Sequence, residues 1–105
     1  MRVIFDRDGR VSLEGVDDFT GFAARTACPP EALDAALAGA GRREGDAHLW
    51  IDRAWLVANG RPTDSQWREK LEKMIAFAAS QGWVDGDGAI RAHLVWSDVD
   101  RRDET

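Results

Sequence analysis

The sequence lacks most of the features that mark a specialised class of protein. Its 105 residues include one cysteine, three prolines and no tyrosine. The lone Cys28 cannot form an intramolecular disulfide, which excludes the disulfide framework of a small secreted domain. No apolar run approaches the roughly 20 residues that cross a bilayer, and the first residues do not have the pattern of a signal peptide. We therefore predict a cytoplasmic protein with no membrane partner.

Positive charge is also scarce. The chain has 14 Lys and Arg residues against 19 Asp and Glu residues, a formal net charge of −5. A nucleic-acid-binding protein needs a positive field to attract the phosphate backbone. The charge balance therefore predicts that nucleic acid is not a partner.

The length of the chain allows one domain with one hydrophobic core. An apolar fraction of 44% and a charged fraction of 31% are typical of a globular protein. We predict a single domain over residues 1–97. Residues 98–105 are expected to form a charged C-terminal tail that frays.

The first half of the chain predicts a hairpin followed by two short helices. Two apolar stretches, 3–5 and 11–13, flank an Asp–Gly turn. Apolar residues at helical spacing predict helices over 18–27 and 31–40, separated by the prolines that follow Cys28. The polar residues 42–46 are expected to form a loop.

The second half predicts strand, helix and strand. Residues 49–57 are apolar on both alternating faces, which is typical of a strand covered on both sides. A helix is predicted over 63–81, with Thr63 and Gln66 at the spacing of a capping box. Gly82 is expected to cap the end of this helix, with Trp83 packed back on the last turn. The last strand is predicted over 89–96. The apolar stripe of the helix consists of Trp67, Leu71, Met74, Ile75 and Ala78.

These elements give the order β-β-α-α-β-α-β. Strands and helices that each have one apolar face are most simply buried in two layers. The predicted fold is therefore an α+β two-layer sandwich, with a small sheet and helices packed mainly on one of its faces.

The turn near the start of the chain resembles a catalytic motif. An apolar strand followed by Asp6, Asp8 and Gly9 is similar to the first motif of haloacid-dehalogenase-type phosphatases. The resemblance implies that Asp6 is the nucleophile and Asp8 its acid–base partner. However, Arg10 replaces the threonine of the motif, and the parallel domain of that family is larger than this chain. We therefore interpret the segment as a hairpin turn.

Metal ligands do not occur at the spacings that metal sites use. The Asp–Gly clusters at 6–9 and 85–88 each resemble the start of a calcium loop, but neither continues with the ligands at positions five and twelve. The residues of the types that bind zinc are Cys28, His48 and His93, and they lie on separate elements. We predict no metal site and no cofactor.

Our first functional hypothesis is a small non-catalytic interaction or accessory domain. It would bind a protein partner, or a second copy of itself as a homodimer, through an apolar sheet face or edge. The surface expected for this role consists of Trp50, Ala54 and Leu56, on one side of the strand over 49–57.

The alternative is a small-molecule-binding domain or small enzyme with a pocket on the outer sheet face. An aromatic wall beside His, Asp and Arg side chains can bind an anionic or aromatic ligand, or transfer a proton. This hypothesis requires the strands that contain these residues to be adjacent and in register. Otherwise the residues are ordinary polar positions on a solvated face. The candidate site residues are His48, Trp50, Asp52, Arg91 and His93.

Overall fold

A computed structural model describes residues 1–96 of the chain and shows a mixed α+β fold of six strands and three helices. The strands are β1 (Arg2–Phe5), β2 (Val11–Glu14), β3 (Ala23–Thr26), β4 (Gly41–Glu44), β5 (His48–Ile51) and β6 (Ile90–Trp96). The helices are α1 (Pro30–Ala36), α2 (Arg53–Asn59) and α3 (Ser65–Ser80). Within these residues, no helix is both long enough and apolar enough to span a membrane. The tail predicted over 98–105 lies outside the described residues.

The order of elements differs from the predicted β-β-α-α-β-α-β. Along the chain it is β-β-β-α-β-β-α-α-β, and all six strands belong to one mixed sheet. Across the sheet the strands follow the order β2-β1-β3-β6-β5-β4. The central strand β3 is parallel to both β1 and β6, whereas the other neighbouring pairs are antiparallel. The sheet therefore has parallel strand pairs at its centre and antiparallel strand pairs at both ends.

Side chains alternate along the inner strands between a hydrophobic core and the opposite side of the sheet. In β6, Ile90, Ala92 and Leu94 are buried, and the residues between them are half-buried or exposed. Helix and strand residues meet in a single core cluster. Its members from these elements include Val3, Phe5, Ala24, Leu33, Leu49, Ile51, Leu56, Trp67, Leu71, Ile75, Ala78, Ile90, Ala92 and Leu94.

The helix predicted over 18–27 is wrong. The segment Ala23–Thr26 forms β3, in which Ala24 is buried and Arg25 is exposed. Phe19 lies in the loop before this strand and packs against the edge of the core. Both backbone edges of β3 pair with neighbouring strands, and this pairing outweighs the weak helical preference of a short Ala-rich segment.

The strand predicted over 49–57 is wrong in its second half. It ends one residue before Asp52, which is the N-cap of α2. Leu56 is buried on the core side of α2, whereas Ala54 is exposed. The segment was predicted to have two apolar faces because the spacing of its apolar residues changes here from the two-residue period of a strand to the 3.6-residue period of a helix. The surface of Trp50, Ala54 and Leu56 expected for a dimer therefore does not exist.

The region before β5 also differs from the prediction. Part of the loop predicted over 42–46 is the edge strand β4, whose three charged residues are typical of an edge protected from further pairing. The helix predicted over 31–40 is shorter, because α1 ends at Ala36. The chain then turns at Gly39, whose φ of +87° favours glycine.

The predicted apolar stripe of α3 is confirmed. Four of its five residues are buried, and Met74 is half-buried and packs against the core. The buried residues are Trp67, Leu71, Ile75 and Ala78. The start of the helix differs, because the carboxylate of Asp64 accepts hydrogen bonds from the amides of Gln66 and Trp67 at 3.0 and 3.1 Å. Asp64 therefore takes the capping role that the sequence assigned to Thr63.

Two turns of the fold have the same hydrogen bonds. The Oδ1 atom of Asp6 accepts from the amides of Asp8 and Arg10, both at 2.9 Å. The Oδ1 atom of Asp85 likewise accepts from the amides two and four residues later, again at 2.9 Å. The predicted hairpin between β1 and β2 is confirmed, and the carboxylate of Asp6 serves as an acceptor within its turn.

Asp85 is expected to make the stability of the protein sensitive to acid. The hydrogen bond from the amide of Ala89, together with the ion pair to Arg42 at 2.7 Å, lowers the pKa of the Asp85 carboxyl. The folded state thus favours the carboxylate, and its contribution is lost as the pH falls below about 4. The free energy of unfolding of Asp85→Asn, measured with denaturant at pH 7 and pH 3, should fall less on acidification than that of the wild type.

Asp87→Asn is the matched control for this experiment. The Asp87 carboxylate lies in the same turn but has no hydrogen bond or ion pair among the described residues. This variant should keep the acid response of the wild type. Equal acid responses in the two variants would contradict the role of Asp85.

Candidate functional site

Four of the five predicted site residues lie together on one face of the sheet. Strands β5 and β6 are adjacent and antiparallel, with His48 opposite His93 and Trp50 opposite Arg91. Residues directly opposite each other in an antiparallel pair point to the same face. Asp52 is not part of this group, because the strand ends before it and its exposed side chain makes no capping hydrogen bond.

The strand register extends this group into a larger surface, which we call the open face. It is the side of the sheet opposite the buried strand residues. His48 lies opposite Glu44 of β4, and His93 lies beside Ala23 of β3. All members are exposed or half-buried. The open face consists of Arg2, Ile4, Ser12, Glu14, Ala23, Arg25, Arg42, Glu44, His48, Trp50, Arg91, His93 and Val95.

Arg91 connects the polar residues of the open face. Its Nε donates to Oε1 of Glu44 at 2.9 Å, and its Nη2 lies 3.2 Å from Nδ1 of His48. A guanidinium can only donate, so Nδ1 of His48 accepts and the proton of the neutral ring is on Nε2. The His93 ring meets the His48 ring edge-on, with centroids 5.6 Å apart. The two imidazoles and the guanidinium thus form one polar cluster.

Trp50 has a second arginine as its neighbour. The guanidinium carbon of Arg42 lies 5.2 Å from the centre of the Trp50 ring, within range of a cation–π interaction. The same guanidinium forms an ion pair with Asp85 at 2.7 Å. The turn before β6 therefore holds Arg42 over Trp50, which is half-buried.

A small cleft, which we call the aromatic cleft, opens beside the polar cluster. Its volume is about 170 Å³, and it is lined by Phe22, His48, Trp83, Arg91 and His93. A second depression of about 120 Å³ shares Phe22, Trp83 and Arg91 with it. Further apolar residues line that second depression, among them Phe19, Met74 and Phe77.

The end of α3 positions Trp83 at the cleft. Gly82, with a φ of +81°, follows the last helical turn, and the Trp83 amide donates to the carbonyl of Ala78 at 2.9 Å. The Trp83 carbonyl then accepts from the amide of Arg91 at 2.8 Å. These bonds confirm the predicted glycine cap, and they bring the end of the helix to the first residues of β6.

The cleft contains residues that the sequence did not indicate as site residues. Phe22, Glu44 and Trp83 lie far apart in the chain and belong to three different segments. Trp83 was predicted only to pack back on the last turn of α3. It does contact Phe77, with ring centroids 6.3 Å apart, yet 41% of its surface is exposed. The exposure of this large apolar side chain is the signal that indicates a site, and it cannot be derived from the local sequence pattern.

The chemistry of the cluster suits the binding of an anion. Arg91, His48 and His93 present N–H donors, and Glu44 is the acid that accompanies them. The cluster itself contains no hydroxyl or thiol side chain to act as a nucleophile. The lone Cys28 is buried, and its Sγ donates to the carbonyl of Asp6 at 2.7 Å. Among the described residues, no three His, Cys, Asp or Glu side chains are placed to hold a metal ion.

Comparison of the chain with protein-family models, with curated proteins and with solved structures gave no match.

Proposed function

We propose that this protein is a non-catalytic interaction domain that binds an acidic surface of another protein through its open face. The observation that carries the proposal is the distribution of charge. The chain has a net charge of −5, yet its open face contains four arginines against two acids. The arginines are Arg2, Arg25, Arg42 and Arg91, and the acids are Glu14 and Glu44. Complementary charge steers association and selects the partner.

The residue types of the open face also support a protein partner. Arginine and tryptophan are enriched in protein interfaces, whereas lysine is depleted. Both lysines of the chain, Lys70 and Lys73, lie on α3, away from the open face. The apolar residues of the face, such as Ile4 and Trp50, belong neither to the core nor to the residues packed against it. They are available for contact with a partner.

The proposal includes the two-layer arrangement, with the helices on one side of the sheet. Its support is the alternation of burial along the strands, together with the single core that strand and helix residues share. In this arrangement the helices cover the inner face and leave the open face for binding. The buried free thiol of Cys28 is compatible with a reducing compartment, and we place the function in the cytoplasm.

A protein partner is favoured over nucleic acid and over a second copy of this chain. Arg2, Arg42 and Arg91 are each close to a carboxylate, which weakens the field that a phosphate backbone would need. A homodimer through this face would bring two positively charged surfaces together. An acidic protein surface carries complementary charge and can form new ion pairs with these arginines.

Arg25 provides the sharpest test, because among the described residues its side chain has no hydrogen bond or ion pair that a replacement would break. A partner would be isolated from cell extract, purified and titrated calorimetrically with the wild type and with Arg25→Glu. The reversal should weaken binding roughly tenfold, a change of about 1.4 kcal/mol. Lys70→Glu is the matched control, with the same charge change on α3, and should bind within about twofold of the wild type.

Other outcomes would contradict this function. Binding that disappears after nuclease treatment would identify a nucleic acid instead. A dimer in sedimentation that Arg25→Glu dissociates would identify a second copy of the chain. Equal losses in Arg25→Glu and Lys70→Glu would mean that net charge, and not the open face, governs binding.

A further inference from the structure

The aromatic cleft combines two features that one small molecule could satisfy together. Its walls include Phe22 and Trp83, and the latter is 41% exposed although it is large and apolar. Its polar side is Arg91 with the two histidines. Flat apolar walls favour an aromatic ring, because ring stacking adds to the gain from buried apolar area. The remaining requirement is a negative group within reach of Arg91.

Arg91 has donors left for such a group. A guanidinium has five N–H bonds. In the described part of the chain, one of them is used by Glu44 and one by His48. The remaining donors can form the paired hydrogen bonds by which arginine recognises a carboxylate. The Nε2–H of His48 is a further donor of the same cleft.

We propose that the aromatic cleft binds a small aromatic carboxylate, with its ring against Phe22 and Trp83 and its carboxylate on Arg91. The volume of about 170 Å³ is below the usual range of ligand pockets, which limits the ligand to a single ring. The cleft shares Arg91 and the two histidines with the open face but does not include Arg25, and binding of the small molecule requires no macromolecular partner.

Glu44 would be a competitor in this site. Its carboxylate already accepts a hydrogen bond from Arg91. Because its side chain is 48% exposed, water can solvate the Glu44 carboxylate when a ligand takes its place on Arg91. Removing its charge weakens the bond to Arg91 and removes the repulsion between Glu44 and the carboxylate of the ligand. A residue with a purely structural role would not tighten binding when it is replaced, so Glu44→Gln distinguishes the two roles.

The test is a titration of the full chain with benzoate, in which NMR monitors the signals of the backbone amides and the Trp83 indole N–H. Benzoate should shift the signals of Trp83 and Arg91 in a saturable manner. Benzamide, acetate and inorganic phosphate should each bind at least about tenfold more weakly, because they lack the charge or the ring. If acetate or phosphate binds as tightly as benzoate, the cleft is a plain anion site and the proposal is wrong.

Four variants complete the test. Arg91→Met and Trp83→Leu should each weaken benzoate binding about tenfold or more, and Glu44→Gln should strengthen it several-fold. Arg25→Met, on the same face but outside the cleft, should leave benzoate binding within twofold. Weaker binding in Glu44→Gln, or an equal loss in Arg25→Met, would overturn the proposal. Because the proposed function is tested at Arg25, which lies outside the cleft, failure here would leave the proposed function standing.

Discussion

Replacing Leu71 by alanine is expected to lower the free energy of unfolding by about 2–5 kcal/mol. Leu71 lies at the middle of the buried stripe of α3 and has no exposed surface. The loss combines the transfer free energy of the removed atoms with the cavity that they leave behind. Denaturant unfolding at neutral pH measures the difference directly.

Glu69→Ala is the control for this substitution. Glu69 is exposed on the same helix and has no ion pair among the described residues. Because alanine is also a good helix former, this change should stay within about 0.5 kcal/mol of the wild type. A loss below about 0.5 kcal/mol in Leu71→Ala would remove α3 from the centre of the core.

The second large effect is expected at Gly41, the first residue of β4. A Cβ atom at this position would overlap the backbone carbonyl oxygen of Trp50 and would lie 3.0 Å from the Cα of Ile51. Both obstacles are backbone atoms of the paired strand, so no side-chain rotation can relieve the overlap. Gly41→Ala should therefore cost about 3 kcal/mol, at the upper end of the range for overpacking.

Gly86→Ala separates this clash from the general effect of replacing a glycine. A Cβ at Gly86 meets no atom within 4 Å, and its φ is not in the left-handed region. It should therefore be close to neutral or slightly stabilising, because alanine reduces the freedom of the unfolded chain. If the two variants have the same free energy of unfolding, the close approach of β4 to β5 is not as the structure describes it.

The Gly41 substitution also reaches the open face. Strand β4 contains Arg42, which lies over Trp50, and Glu44, which pairs with Arg91. A shift of β4 away from β5 would move both side chains relative to their partners. The NMR signal of the Trp50 indole should therefore change in Gly41→Ala and remain unchanged in Gly86→Ala.

Tertiary contacts hold the loop that leads into β3. The Nε1 atom of Trp67 donates to the carbonyl of Val16 at 2.6 Å, and Arg61 forms an ion pair with Asp17 that includes two hydrogen bonds. These bonds join residues more than 40 positions apart in the chain. They contribute to the extended path of residues 18–27, where the spacing of apolar residues had predicted a helix.

The candidate site was only partly predictable, for a reason that particular residues make clear. Alternation in β6 correctly placed Arg91 and His93 on one face, because each strand residue points opposite to its neighbour. Asp52 was assigned to the site because the alternation of β5 was extended past the end of that strand, where side chains no longer alternate. Phe22 and Trp83 belong to separate segments that only the fold brings to the site, so the local spacing of residues could not predict them.

The sequence by itself determined the elements whose contacts are local. The turn at Asp6, the stripe of α3 and its end at Gly82 depend on hydrogen bonds and apolar spacing within a few residues. The tertiary structure alone decided the identity of β3 and β4, the order of the sheet and the charge of the open face. Strand pairing is a contact between distant segments, so a short polar or Ala-rich stretch becomes a strand only when neighbouring edges offer it hydrogen bonds. A chain with an excess of acid can likewise present a basic face, because the fold separates charges that are mixed along the sequence.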